Sequence, residues 1–104
     1  MATTFVAYDR ETLTISTTSL GFTSTKSQPS GGSDPARQVI VSIRIGGPIN
    51  WTLDTTAPTA TTGQGPKYAG ESWTVDGATD IANFRTILDT IATEDATLEC
   101  EYLR

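Results

Sequence analysis

Few residues in this chain could carry nucleophilic chemistry. The sequence contains one cysteine, Cys100, and no histidine. Because a serine or cysteine nucleophile normally needs a base beside it, Ser-His and Cys-His arrangements are excluded within the chain. Cys100 alternates with Leu98 and Tyr102, and free cysteine is often buried. We therefore interpret Cys100 as a small core residue, and one cysteine cannot form an intramolecular disulfide.

Carboxylates are the next candidates, because a carboxylate pair supplies the acid and base of glycosidases. Five lie near predicted strand ends or turns: Asp54, Asp76, Asp80, Glu94 and Asp95. Nothing in their spacing requires any two to meet, and turn formation and helix capping explain them more simply. The chain has no acidic loop with calcium-ligand spacing, and its GQGPK run, residues 63–67, lacks phosphate-loop spacing and predicts a turn. We expect no enzyme activity, metal site or cofactor.

The two tryptophans each have two interpretations. An exposed tryptophan can stack on a sugar, whereas a buried one contributes a large apolar surface to the core. Trp51 shares a strand face with Ile49 and Leu53, and Trp73 shares one with Val75. This pattern favours burial for both. The Thr- and Asn-rich faces opposite them leave a carbohydrate-binding or adhesion module open as an alternative function.

Length, composition and charge limit the classes of protein to which this chain can belong. A length of 104 residues fits one domain, residues 1–104. Twenty threonines favour strands and turns over helices. A net charge of −5, with the seven basic residues scattered, argues against a nucleic-acid partner. We expect no membrane partner, because the first residues lack a signal-peptide pattern and no apolar stretch approaches the roughly 18 residues that span a bilayer.

Strand character dominates the secondary structure that the sequence predicts. Period-two alternation and β-branched residues predict strands at residues 3–8, 11–17, 20–25, 38–45, 49–54, 59–62, 71–76 and 96–103. Asp9-Arg10 predicts a turn between the first two, and the Pro-, Gly- and Ser-rich residues 26–36 predict a loop.

One segment has helical spacing instead. Apolar residues at helical intervals predict a helix over residues 79–91, with Thr79 or Asp80 as its cap: Ile81, Phe84, Ile87, Leu88 and Ile91. Seven to eight short strands, with one short helix before the last of them, predict an all-β fold. The architecture would be an antiparallel β-sandwich or a small jelly-roll-like barrel.

A Gly46-Gly47-Pro48 turn predicts a hairpin between residues 38–45 and 49–54. Its apolar faces would point to the core together: Val39, Val41, Ile43 and Ile45 with Ile49, Trp51 and Leu53. Ile40 lies on the opposite face and is our candidate contact between copies of the chain. Burial between copies would add to a modest core, and identical subunits usually assemble with closed symmetry. We expect a homo-oligomer, with a trimer slightly preferred.

Four segments of the chain resemble an arrangement found in small virion proteins of tailed bacteriophages. They are INWTLDTTAPTATTG from residue 49, AGES from residue 69, DIANFRTIL from residue 80 and DATLECEYL from residue 95. The resemblance covers residues 43–103 and implies a non-enzymatic particle component, such as a capsid decoration (cement) protein or a head, head-tail or tail accessory. It implies major capsid protein or other virion proteins as partners, and the virion, assembled in the host cytoplasm, as location. The shared positions resemble scaffold and turn residues: Trp51, Asp54, Pro58, Phe84 and Asp95.

Overall fold

The computed structural model describes residues 5–27 and 35–104. The elements, in chain order, are β1 (Ala7–Ile15), α1 (Ser24–Ser27), β2 (Gln38–Ile45), β3 (Ile49–Thr52), β4 (Gln64–Lys67), β5 (Ser72–Asp76), α2 (Ala78–Asn83), β6 (Arg85–Leu88) and β7 (Ala96–Leu103). The strands form two antiparallel sheets, which confirms the predicted all-β sandwich. Within the described ranges, no helix is long and apolar enough to cross a membrane.

The larger sheet has the strand order β1-β7-β2-β5, and the smaller has β4-β3-β6. We call them the four-stranded and the three-stranded sheet. Alternation in β7 is as predicted, with Leu98, Cys100 and Tyr102 buried between neighbours that are half-buried or exposed. From β2, Val39, Val41 and Ile43 join them in the core.

Aromatic side chains fill the space next to this apolar layer. Phe84 is fully buried and stacks on Phe22 with ring centroids 4.3 Å apart. Phe22 also meets Tyr102 edge-on at 5.9 Å. The buried Tyr102 hydroxyl donates a hydrogen bond of 2.6 Å to Glu11, whose other oxygen accepts a 2.6 Å bond from Thr23. These bonds hold the segment before α1 against β1.

The predicted hairpin between residues 38–45 and 49–54 is wrong. β2 belongs to the four-stranded sheet, whereas β3 pairs with β4 and β6 in the other. Gly46 and Gly47 have φ values of 79° and 81°, and a Cβ on Gly46 would collide with the Asp95 carbonyl group. The turn therefore carries the chain from one sheet to the other. A register shift after Ile43 leaves Ile45 58% exposed, so Ile45 does not join the predicted core.

The predicted helix over residues 79–91 is too long. Helix α2 ends at Asn83 and the chain continues as β6, so this short helix precedes the last two strands. Gly77 occupies the N-cap position, and no side chain of the described residues caps the helix, which corrects the assignment of Thr79 or Asp80. Thr86 and Leu88 are buried at period-two spacing in β6. The apolar spacing was ambiguous because β6 follows α2 directly and both elements face the same core.

Other boundaries also differ from the prediction. Asp9 and Arg10 lie inside the continuous strand β1 rather than in a turn, and a register shift after Ala7 accommodates them. Leu20 makes only an isolated bridge to Thr86. The predicted edge strand at residues 59–62 is a local bridge, and most of the GQGPK run is β4 rather than a turn. Residues 3–4 of the first predicted strand and residues 28–34 of the predicted loop lie outside the described residues.

Candidate functional site

An open depression lies beside β3. It has a volume of about 670 Å³ and is lined by the end of β3, the following loop and the start of β4. We call it the Trp51 cleft. The lining includes Trp51, Thr52, Asp54, Thr56, Pro58 and Gln64. Its size lies within the range of roughly 300–1,000 Å³ that is typical of small-molecule sites.

A buried side chain anchors the loop that forms one wall of the cleft. Asn50 is only 4% exposed, and its Nδ2 donates to the carbonyl oxygens of Thr59 (3.0 Å) and Ala60 (3.1 Å). The sequence predicts Asn50 on the Thr- and Asn-rich face of its strand, open to solvent or a ligand, whereas the structure buries it. An asparagine inside a strand is uncommon, so its presence there was the only signal available.

Further hydrogen bonds fix the near end of the loop. Asp54 Oδ1 accepts a 2.8 Å bond from the Thr56 backbone N–H. Thr52 Oγ1 donates a 2.8 Å bond to the Thr56 carbonyl oxygen. An aspartate that bonds to the backbone two residues ahead forms a tight local turn. This stretch of the cleft wall is therefore shaped before any ligand arrives.

The far end of the loop is fixed as well. Thr59 and Thr62 pair through their backbones, and their hydroxyl oxygens lie 2.6 Å apart. The Thr90 N–H donates a 2.9 Å bond to the Ala60 carbonyl oxygen, which ties the loop to the chain after β6. Pro58 is buried. The loop is therefore held by backbone and side-chain hydrogen bonds together with the burial of Pro58.

Trp51 and Trp73 form a contact between the two sheets. Trp51 belongs to β3 and Trp73 to β5, the edge strand of the four-stranded sheet, and their ring centroids lie 5.9 Å apart at 31°. Both are half-buried and pack against the core. Their Nε1 atoms are buried without a hydrogen-bond partner among the described residues, a cost of roughly 1–3 kcal/mol for each group. Packing must therefore hold this pair together.

A cation lies against the tryptophan pair. Lys67 Nζ is 5.2 Å from the centroid of the Trp73 ring, a distance at which a cation is attracted to an aromatic face. The same ammonium group lies 3.6 Å from a carboxylate oxygen of Glu71. Positive charge is thus already placed beside the pair.

Polar groups in the Trp51 cleft retain hydrogen-bonding capacity. The second carboxylate oxygen of Asp54 is outside the local turn, and the side chains of Thr56 and Gln64 make no hydrogen bond within the described residues. All three residues are exposed. The cleft therefore combines part of an indole with one carboxylate, one amide and a hydroxyl, all accessible to a ligand.

The other carboxylates that the sequence singled out do not gather around this cleft. Asp76 bonds Gln38 Nε2 at 2.7 Å at the end of β5, and Asp80 lies in the first turn of α2. Glu94 and Asp95 are exposed in the turn before β7. Among residues 5–27 and 35–104 there is no group of three or more His, Cys, Asp or Glu placed to hold a metal ion.

Cys100 is a buried core residue, as predicted. Burial raises the pKa of its thiol to about 12, and the nearby charges of Glu11 and Glu99 act in the same direction. A thiol with so high a pKa stays protonated near neutral pH and is a poor nucleophile.

Ile40, the predicted contact between copies, lies half-buried on the outer face of the four-stranded sheet. It lines a depression of about 200 Å³ with Arg10, Ser42, Glu99 and Glu101 among its neighbours. The surroundings of Ile40 are thus mostly polar and charged. The contact between copies at Ile40 stays a prediction.

Comparison of the chain with protein-family models, with curated proteins and with solved structures found no match. The resemblance to phage virion proteins therefore remains an inference from the quoted sequence segments.

Proposed function

We propose that this chain is a non-enzymatic structural protein of a tailed-bacteriophage particle, and more specifically a capsid decoration protein. It would bind the major capsid protein at the outer surface of the shell and stabilise the shell by adding contact area between subunits. Stable protein interfaces bury about 1,200–2,000 Å² in total, which one sheet face with its adjoining loops can supply.

The observation that carries the proposal is the spatial arrangement of the segments that resemble phage proteins. Segments from residues 49, 80 and 95 are separated along the chain, yet β3 pairs with β6, and β7 lies beside β2 in the facing sheet. Phe84 and Pro58 are buried among them. The shared residues thus serve one folded unit, as expected if the resemblance reflects a common architecture.

The remaining shared positions also serve the scaffold. Asp54 makes the local turn at the start of the cleft loop. The Asp95 carbonyl group lies against Gly46, where a side chain would collide with it. Trp51 packs on Trp73 between the sheets. Roles of this kind suit a protein whose function is to present a stable surface to its neighbours.

The outer face of the four-stranded sheet is the surface we propose for contact with neighbouring copies or with the shell. Ile40 lies near its centre, opposite Thr74 on β5 and Glu101 on β7. An apolar residue surrounded by polar and charged groups is the usual layout of a non-obligate interface. A trimer would place three such faces around one symmetry axis.

The proposal is tested on particles produced from the genome that encodes the chain. Purified particles are analysed by mass spectrometry and labelled with a gold-tagged antibody against the chain. Decoration predicts many copies per particle with label over the head. Label confined to the neck or tail would indicate an accessory role instead of decoration. Absence of the chain from purified particles would refute the proposal.

A further inference from the structure

We propose that the Trp51 cleft binds a neutral carbohydrate. The inference concerns a site away from the outer sheet face and does not depend on the particle role. A sugar ring offers a patch of C–H groups that packs on an aromatic face and hydroxyl groups that both donate and accept hydrogen bonds. The cleft presents matching partners for each of these features.

The aromatic partner is Trp51, which lines the cleft and packs against two neighbouring residues, Trp73 and Gly65. Trp73 lies 5.9 Å from it, and the backbone of Gly65 passes beside its Cδ1, where an added Cβ would sit 3.6 Å away. A side chain held on these sides loses little conformational freedom when a ligand packs on its remaining surface. Preorganisation of this kind favours binding.

The polar partners lie in the hydrogen-bonded loop after β3 and in the strand β4. Asp54 keeps one carboxylate oxygen free while its other oxygen fixes the loop. Gln64 lies opposite Trp51 in the pairing of β3 with β4, and its amide can both donate and accept. One carboxylate and one amide beside a tryptophan suit adjacent hydroxyl groups of a sugar ring.

Charge argues for a neutral ligand rather than a cation. A tryptophan next to a single carboxylate could also attract an ammonium group. Lys67, however, already lies over the Trp73 ring with its charge paired to Glu71, so that ring is not open to a second cation. Apart from Asp54, the polar lining consists of uncharged threonine and glutamine side chains.

The experiment titrates the full-length protein with cellotetraose, chitotetraose and maltotetraose, followed by calorimetry and by tryptophan fluorescence. We expect at least one sugar to give saturable binding with a dissociation constant of about 1 mM or tighter. Gln64→Ala should weaken it by about 2- to 12-fold, the value of one neutral hydrogen bond. Asp54→Asn retains the acceptor of the local turn but loses the charge, and should weaken it about tenfold.

Thr14→Ala on the exposed side of β1 is the matched control and should leave the affinity unchanged. Circular dichroism melts of each variant separate lost binding from lost folding. No saturable binding to any of the three sugars up to about 10 mM would overturn the proposal. Binding that neither cleft variant weakens, or saturation by tetramethylammonium instead of the sugars, would overturn it as well.

Discussion

The four-stranded sheet buries mainly apolar side chains, whereas the three-stranded sheet buries polar side chains bonded to the backbone beside apolar ones such as Ile49 and Leu88. In the four-stranded sheet, β1, β2 and β7 have eight or nine residues each, and β2 and β7 alternate buried positions with more exposed ones. The strands of the three-stranded sheet have four residues each. Asn50 and Thr86 are buried there and bond to main-chain oxygens. The first region suits a scaffold, and the second keeps polar groups close to an open cleft.

The largest loss of stability is expected in the four-stranded sheet. Leu98 is fully buried at its centre, so Leu98→Ala should lower the free energy of unfolding by about 2–5 kcal/mol through lost burial and a residual cavity. Chemical denaturation measures the change. A loss below about 1 kcal/mol would show that this sheet is not the dominant core.

A smaller loss is expected at the tryptophan pair. A fully buried tryptophan replaced by alanine costs about 3–5 kcal/mol, but Trp51 is only half-buried and its N–H lacks a partner in the described chain. We therefore expect about 2 kcal/mol for Trp51→Ala in the same denaturation assay. A cost equal to or above that of Leu98→Ala would reverse the ranking of the two regions.

Loss of the loop anchor should cost less again. Asn50→Ala leaves the Thr59 and Ala60 carbonyl oxygens without this donor, and we expect a loss of about 1–2 kcal/mol. Proteolysis of the variant should begin within the loop at residues 54–63, whereas the Thr14→Ala control should be cut no faster than the parent. Unchanged proteolysis of Asn50→Ala would mean that the loop does not depend on this anchor.

Alkaline pH should lower the free energy of unfolding through the buried thiol of Cys100 in the four-stranded sheet. The folded pKa of Cys100, about 12, lies above the ordinary thiol value of 9.0, so the unfolded chain gives up its proton first. The contribution of this group is therefore complete below about pH 9 and is lost as the pH rises toward 12. Cys100→Ala should show a shallower fall of stability over that window. Identical slopes would indicate that the thiol is not buried.

The outer face should contribute least to the fold. Ile40→Asp should lower the free energy of unfolding of the isolated subunit by about 1 kcal/mol, because its side chain lies outside the core but the new carboxylate would lie opposite Glu101 within a strand. It should nevertheless weaken self-association. Sedimentation of the parent and the variant checks this, and a parent that stays monomeric at high concentration would contradict the proposed homo-oligomer.

The sequence predicted most accurately the strands whose alternation and burial agree. β7 matches its predicted bounds, and Cys100 was placed correctly, because one face of that strand is uniformly apolar. Alternation also identified β2 and β3, but it does not tell which strands pair. The Gly-Gly-Pro turn predicts a hairpin, although the same residues can carry a chain between two sheets.

The candidate site was less predictable. The sequence leaves Trp51 open as a platform for a sugar, but its contact with Trp73 depends on how the two sheets pack together. Asn50 bonds to carbonyl groups nine and ten residues later. Gln64 faces the cleft because β4 forms where the glycines and proline predicted only a turn. Each of these contacts depends on the tertiary structure, so no periodic pattern in the sequence predicts it.

Electron cryomicroscopy of particles with and without the gene for this chain is the decisive test of the proposed decoration role on a phage head. A decoration protein should give additional density of about the size of this domain at regular positions on the shell, which disappears in the deletion and returns when purified protein is added. Identical shells from both preparations, with no density restored by the protein, would contradict it.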